Sequence, residues 1–300
     1  MESIKVNERA LVLGGGGATG NAWLIGVITG LFDAGLDVTQ ADLIIGTSAG
    51  STAAAQITSA LPADLLSAIL ETASQQRTEP PRSDGEPVAI RPTTNHMETT
   101  GAIIGAAKDA ADMRRRMGAW ALETNVALGS SAQKQWRATV AARLPGQHWP
   151  QRPILITAVD AHTGEPVVFD RHGEVDLVDA VAASTAGGFA YGIGDSHYID
   201  GGYRADVNAD LAAGYARVLV IAPLGDRTRK PLYWGLHLTA QVDELRARGS
   251  KVETIFPDSD AQNALGAGMN LMDLSTRRLS AQAGYNQGKA LAGHLTEFWN

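Results

Sequence analysis

The chain contains no cysteine, which removes disulfides, thiolate nucleophiles and cysteine-rich zinc sites from consideration. Charge is also scarce. Asp, Glu, Lys and Arg make up 19% of the residues, the net charge is −7, and no basic block exists to follow a nucleic-acid backbone or an anionic membrane. No run approaches the roughly 18 consecutive apolar residues of a membrane-crossing helix. The opening MESIKVNERA lacks the basic and apolar segments of a secretion signal. These absences lead to the expectation of a soluble, cytoplasmic protein that binds no nucleic acid.

What is present is a chain of 300 residues, long enough for a sizeable core in one large domain. Short apolar runs alternate with alanine-rich helical stretches, the pattern of parallel strands joined by crossover helices. The runs ALVL, LIIGT, PILITAV, PVVF, HYID, RVLVIA and VETIF are the expected strands. The fold class that follows is α/β, with a mainly parallel central sheet flanked by helices. From Thr72 to Pro92 the chain is rich in Pro and charge and reads as a surface excursion, and from about His96 to Leu144 it reads as helical. A single domain over residues 1–300 is therefore expected, interrupted by a loop and helical insertion at about 73–150.

The most unusual local feature is LVLGGGGATGNAW, in which four glycines, Gly14 to Gly17, follow an apolar strand. A chain needs that freedom where its backbone comes close to something. Gly15, Gly17 and Gly20 satisfy the G-x-G-x-x-G of a dinucleotide-binding turn, so an oxidoreductase is one reading. That fold wants an acidic residue about 20 positions on, at the exit of the second strand. Here the second strand exits into Gly46-Thr47-Ser48, and Asp37 and Asp42 precede it.

The second strand instead carries GTSAG, a G-x-S-x-G at Gly46 to Gly50. In a strand-to-helix turn this spacing makes a nucleophile elbow, with glycines leaving room for the bend and Ser48 pushed to the sheet's C-terminal edge. An ordinary N-cap is the simpler reading of Ser48 taken alone. A serine nucleophile needs a base. His96, His148, His162 and His172 sit in loop-like sequence, His197 begins a strand, and His237 and His294 lie on helical stretches. None has a persuasive setting. Asp200, at the exit of HYID and followed by Gly201-Gly202, can be presented from a tight turn toward the same edge as Ser48.

A glycine-rich turn, G-x-S-x-G on the next strand and D-G-G well downstream occur here in that order, and the combination resembles the patatin-like phospholipase family. GGGATG (Gly15 to Gly20), GTSAG and DGG (Asp200 to Gly202) carry the resemblance, with a softer match in ASTAGGF, Ala183 to Phe189. It extends from about Ala10 to Leu211. The resemblance implies a three-layer α/β/α fold and a lipid acyl hydrolase using a Ser48–Asp200 dyad without histidine. Three positions depart from the family's usual pattern: Thr19 where Arg or Lys is common, Gly188 where proline is usual, and Asp206 where asparagine is frequent.

On this reading the glycine turn forms an oxyanion hole. Gly15, Gly16 and Gly17 would supply N–H groups to the developing negative charge, and Ala49 a further one, while Asp200 takes the Ser48 proton. No organic cofactor and no metal is required. The expected partner is a lipid or other acyl ester, with transient contact at a membrane surface. The insertion, with IIGAA, Trp120, Trp136 and the Pro80-Pro81 loop, is the natural place for an acyl pocket or lid. Three alternatives stay open: an α/β-hydrolase esterase with a Ser-His-Asp triad using His237 or His294, the nucleotide-binding oxidoreductase, and a non-catalytic lipid-binding protein.

Overall fold

A computed structural model describes residues 8–75, 96–128, 130–266 and 271–300. The Pro80-Pro81 loop lies outside them. The chain opens with β1 (Arg9–Leu13), α1 (Gly17–Asp33), β2 (Leu43–Gly46), α2 (Ala49–Ile57) and α3 (Pro62–Gln75). Among the described residues, three helices follow with no strand between them: α4 (His96–Ala106), α5 (Ala110–Leu128) and α6 (Ser130–Ala141). Then come β3 (Ile154–Asp160), β4 (Pro166–Phe169), α7 (Leu177–Ser184), β5 (Tyr191–Ile193) and β6 (Ser196–Asp200). The chain closes with β7 (Arg217–Ile221), α8 (Leu238–Ala247), β8 (Lys251–Ile255), α9 (Ser259–Leu265) and α10 (Arg277–Trp299).

The eight strands form one sheet, as the expected α/β class requires. Its body runs β3-β2-β1-β7-β8, all parallel, while β4, β5 and β6 add antiparallel pairs beside β3. All seven expected strands are present, and β5 is the addition. It is three residues long between glycines, too short to stand out, and pairs with β6 as a hairpin (Tyr191 opposite Tyr198).

Strand alternation divides the core into two layers of contact. Leu11, Leu13, Ile44, Leu219 and Ile221 face one side, where Trp23, Ile28, Ala53 and Leu295 of α1, α2 and α10 cover them. Ala10, Val12, Ile45, Val218 and Val220 face the other, under Leu238, Val242 and Leu245 of α8. The result is helices, sheet, helices. In the helical insertion, Met113, Met117 and Ala121 of α5 pack on Val159 and Ile199, and Ile103 and Ile104 of α4 join that cluster. Arg137 of α6 clasps Asp176 and Asp179 at 2.8 Å each, docking the insertion to α7.

α1 and α10 approach backbone to backbone. A Cβ placed on Gly26 or Gly30 would stand 2.1 Å from the carbonyl oxygen of Ala281 or Tyr285, and one on Gly284 or Gly288 would meet those of Trp23 and Val27 at 2.4 and 2.2 Å. Pairing rises in step along both helices, so they run parallel, with their N-termini at the same end.

One register decides where the chemistry sits. Ile156 pairs with Gly46 of β2 and Phe169 of β4, and Ala158 pairs with Val167 of β4 and Asp200 of β6. Since β4 occupies one edge of β3 throughout, β2 and β6 share the other. They run toward each other along it, and their C-terminal ends meet.

Candidate active site

At this meeting point Ser48 leaves β2 and Asp200 ends β6. Ser48 Oγ donates to Asp200 Oδ2 at 2.7 Å. None of the seven histidines makes a side-chain hydrogen bond to either residue. The backbone of Ser48 has φ 53 and ψ −114, outside the regions open to ordinary L-residues. Such a conformation costs on the order of 1–3 kcal/mol and persists only where the surroundings enforce it. Here they do. A Cβ on Gly50 would lie 2.0 Å from the carbonyl oxygen of Leu13, and one on Gly46 would lie 2.6 Å from that of Gly50, so helix α2 packs against β1 and β2 only with glycine at both places.

The Asp200 turn is held by polar contacts. The Gly202 N–H donates to Asp200 Oδ1 at 2.7 Å. Below it, buried Asn208 donates to Thr47 Oγ1 (3.0 Å) and to the carbonyls of Ala205 (2.8 Å) and Gly201 (3.3 Å), from a left-handed backbone with φ 57. Thr157 of β3 donates to Thr47 Oγ1 at 3.0 Å, so one knot ties both strand exits to β3. Lys230, almost fully buried, donates to the carbonyl of Gly202 (2.9 Å) and pairs with Asp206 (3.1 Å).

Burial pushes the Asp200 carboxyl up to about 6, because the charged form loses water. Hydrogen bonds from Ser48 and Gly202 oppose that rise, Asp206 adds to it, and Lys230 opposes it. The group therefore titrates close to neutrality, where a general base works best.

Not every expected donor is free. The Gly15 N–H donates to the Asp206 carbonyl at 2.8 Å, which takes it out of the oxyanion-hole set read from the sequence. A Cβ placed on Gly15 would stand 3.3 Å from the Asp206 carbonyl oxygen and 3.7 Å from Ser48 Cβ. Among the described residues, no acceptor pairs with the amides of Gly16, Gly17 or Ala49. Gly17 and Ala49 open α1 and α2 and line the same recess as Ser48. Trp136 lines it too, whereas Trp120 stands elsewhere, against His96 and Gly188. Ile103 and Ile104 belong to the α5 core and not to this recess.

Each of the three departures has a counterpart in the structure, a partner for two and a backbone angle for the third. Thr19 donates through its N–H (3.0 Å) and hydroxyl (3.3 Å) to the Leu271 carbonyl. Gly188 has φ 118, which proline cannot adopt. Asp206 has Lys230.

Sequence reasoning did not find Ser184, Asn208 or Lys230. Ser184 accepts the Ser48 N–H at 3.0 Å. Its place in ASTAGGF was the available signal, and Asn208 stood eight residues beyond Asp200. Nothing local marks Lys230.

A sequence model of the patatin-like phospholipase family matches residues 11–213. No curated protein matches the chain. Among solved structures, VipD from Legionella pneumophila is similar at 12% identity and TM-score 0.44, over 96% of this chain and 67% of that one. The type III effector protein ExoU is similar at 15% identity and TM-score 0.34, over 94% of this chain and 54% of that one. The family match covers two thirds of the chain and supports lipid acyl hydrolysis, and on it this chain belongs to the patatin-like phospholipase family.

Proposed function

We propose that the chain hydrolyses acyl ester bonds of lipids through a Ser48–Asp200 dyad. The observation that carries this reading is the 2.7 Å hydrogen bond from Ser48, on a strained elbow, to an enclosed carboxylate. Ionised Asp200 accepts the Ser48 proton as Oγ attacks the ester carbonyl. The oxyanion forms against the amides of Gly16, Gly17 and Ala49, at the positive ends of α1 and α2. Protonated Asp200 then gives its proton to the departing alkoxide, leaving an acyl-serine. Water, deprotonated by the same carboxylate, attacks the acyl-serine, and the fatty acid leaves as Ser48 recovers the proton.

Among the described residues no helix is long and apolar enough to cross a membrane. Contact with a lipid surface fits the mouth of the recess. Met272 lines it, and Met272, Leu274 and Leu279 are 44%, 49% and 62% exposed.

The test is Ser48→Ala beside the parent on a short-chain nitrophenyl ester, with labelling by a fluorescent phosphonate. The parent turns over and labels, and the variant does neither while melting at a similar temperature. Full labelling of Ser48→Ala would remove Ser48 from the mechanism. An inert parent would favour a lipid-binding protein.

A further inference from the structure

Among the described residues, two cations stand at the recess without a counter-charge. Arg143 follows α6 and Arg277 is the first residue of α10, and both line the cavity that holds Ser48 and Ala49. Elsewhere in the fold, half-buried Arg137 and Arg204 pair with carboxylates, Asp176 and Asp179 for the first and Asp210 for the second, while half-buried Arg114 and Arg152 donate to the backbone carbonyls of Gly164 and Ala41. Among the described residues no carboxylate pairs with Arg143 or Arg277. Arg143 lies over the Trp136 ring at 5.4 Å, a contact that orients the guanidinium plane and leaves its N–H donors uncommitted.

The two cations also repel. Burial holds both guanidinium groups below their ordinary range, and Arg143 lowers Arg277 further. Half-buried like charges side by side are costly unless a third charge answers them. Arg277 is doubly misplaced, since a cation at the N-terminus of a 23-residue helix opposes the helix dipole. The parallel seating of α10 on α1 sets this position. Gly284 meets Trp23 and Gly288 meets Val27, so the start of α10 is level with the start of α1 at Gly17. Two positive helix ends and two guanidinium groups therefore converge on one recess. Each cost becomes a gain when an oxyanion enters, because a guanidinium fork fits phosphate oxygens in a two-point contact.

We infer that Arg143 and Arg277 form an anion-binding subsite beside Ser48, built for a phosphate-type oxyanion close to the scissile ester. The inference deepens the hydrolase reading and would narrow its substrates to anionic lipids.

Two measurements separate it from that reading. Inorganic phosphate is titrated into Ser48→Ala protein by calorimetry, then into the same protein carrying Arg277→Gln, Arg143→Gln or Arg277→Lys. Saturable binding is expected, at least about 10-fold weaker in each Gln variant and largely restored by Lys, as for loss of one charged hydrogen-bond donor. In the active enzyme, kcat/KM is compared for a soluble short-chain diacylglycerol phosphate and the matching neutral diacylglycerol. The anionic-to-neutral ratio should fall by about 10- to 100-fold in Arg277→Gln. Because Arg143 also packs on Trp136, Arg277→Gln is the variant that decides if Arg143→Gln melts early.

Phosphate binding together with an Arg-dependent lipid ratio assigns the subsite to a headgroup. Binding without a lipid preference assigns it to a free anion. Arg-dependent phosphate binding in a protein that cleaves neither ester keeps the subsite and removes the hydrolase. No phosphate binding and equal rates on the two esters overturn the subsite and leave the hydrolase standing.

Discussion

The two turns that meet at the site are built by opposite means. The Ser48 elbow is held by shape: Gly46 and Gly50 let α2 press against β1 and β2, and the pressure fixes a serine backbone at φ 53. The Asp200 turn is held by hydrogen bonds from Gly202, Asn208 and Lys230, with Thr157 beneath. A nucleophile must be aimed, and close packing aims well because it yields little. A base must be tuned, and neighbouring charges and dipoles do that while packing alone does not. If the contrast holds, damage to the first turn should abolish the site, and damage to the second should shift or weaken it.

The largest effect is expected from Gly50→Ala. Its Cβ would stand 2.0 Å from the Leu13 carbonyl oxygen, with backbone on both sides and no flexible side chain to move. Ester hydrolysis should fall to background, with a loss of stability above about 2 kcal/mol in a denaturant titration. An active, stable Gly50→Ala protein would remove the packing account of the elbow.

Asp200→Asn comes next, and its two effects have opposite signs. Turnover should fall by about 100-fold or more, the scale of lost general-base assistance. Stability near pH 8 should rise. The folded carboxyl titrates at about 6, above its unfolded value, so the parent loses stability as pH climbs through that range, and the variant does not. The gain is at most about 3 kcal/mol above pH 7 and vanishes below about pH 3, where the parent carboxyl is neutral in both states. Thermal melting at the two pH values checks it. In the parent, kcat/KM should rise with pH through an apparent pKa near 6.

Asn208→Ala removes a buried amide whose two N–H groups are shared among Thr47, Thr157, Gly201 and Ala205, and places alanine at φ 57. A cost of about 2–3 kcal/mol is expected, with reduced kcat because both strand exits lose their common anchor. Unchanged kcat in a destabilised variant would mean that the knot supports the fold alone.

The smallest effects are the most diagnostic. Lys230 holds the Asp200 carboxyl down and Asp206 pushes it up. Lys230→Met should therefore move the acid limb of the kcat/KM profile to higher pH, and Asp206→Asn should move it to lower pH. Shifts in the same direction would argue against electrostatic tuning of this turn.

How much was legible follows the same division. The elbow and the D-G-G turn are local patterns, and seven strands announced themselves by apolar runs. A strand of three residues, Tyr191 to Ile193, carries no periodicity to read. The polar support was hidden for a different reason: Lys230 reaches Gly202 and Asp206 across 28 and 24 residues of chain, and no spacing rule encodes that contact. The amide of Gly15 shows a further limit. Four glycines announce that a backbone approaches something, yet only the fold tells that one N–H is already given to Asp206. Two of the three departures from the family pattern, Thr19 and Asp206, meet their partners Leu271 and Lys230 beyond the family-matched residues 11–213.

The glycine contacts between α1 and α10 have a mechanical consequence. With Gly26, Gly30, Gly284 and Gly288 interlocked at backbone distance, α10 cannot slide along α1 by less than a full repeat of the pattern without collision. A repeat of four residues is about 6 Å. Helix α10 thus works like a toothed gauge whose zero mark is the glycine turn that opens α1. An insertion or deletion anywhere between Ile255 and Arg277 must be absorbed before the first tooth engages, or the whole of α10 disengages together.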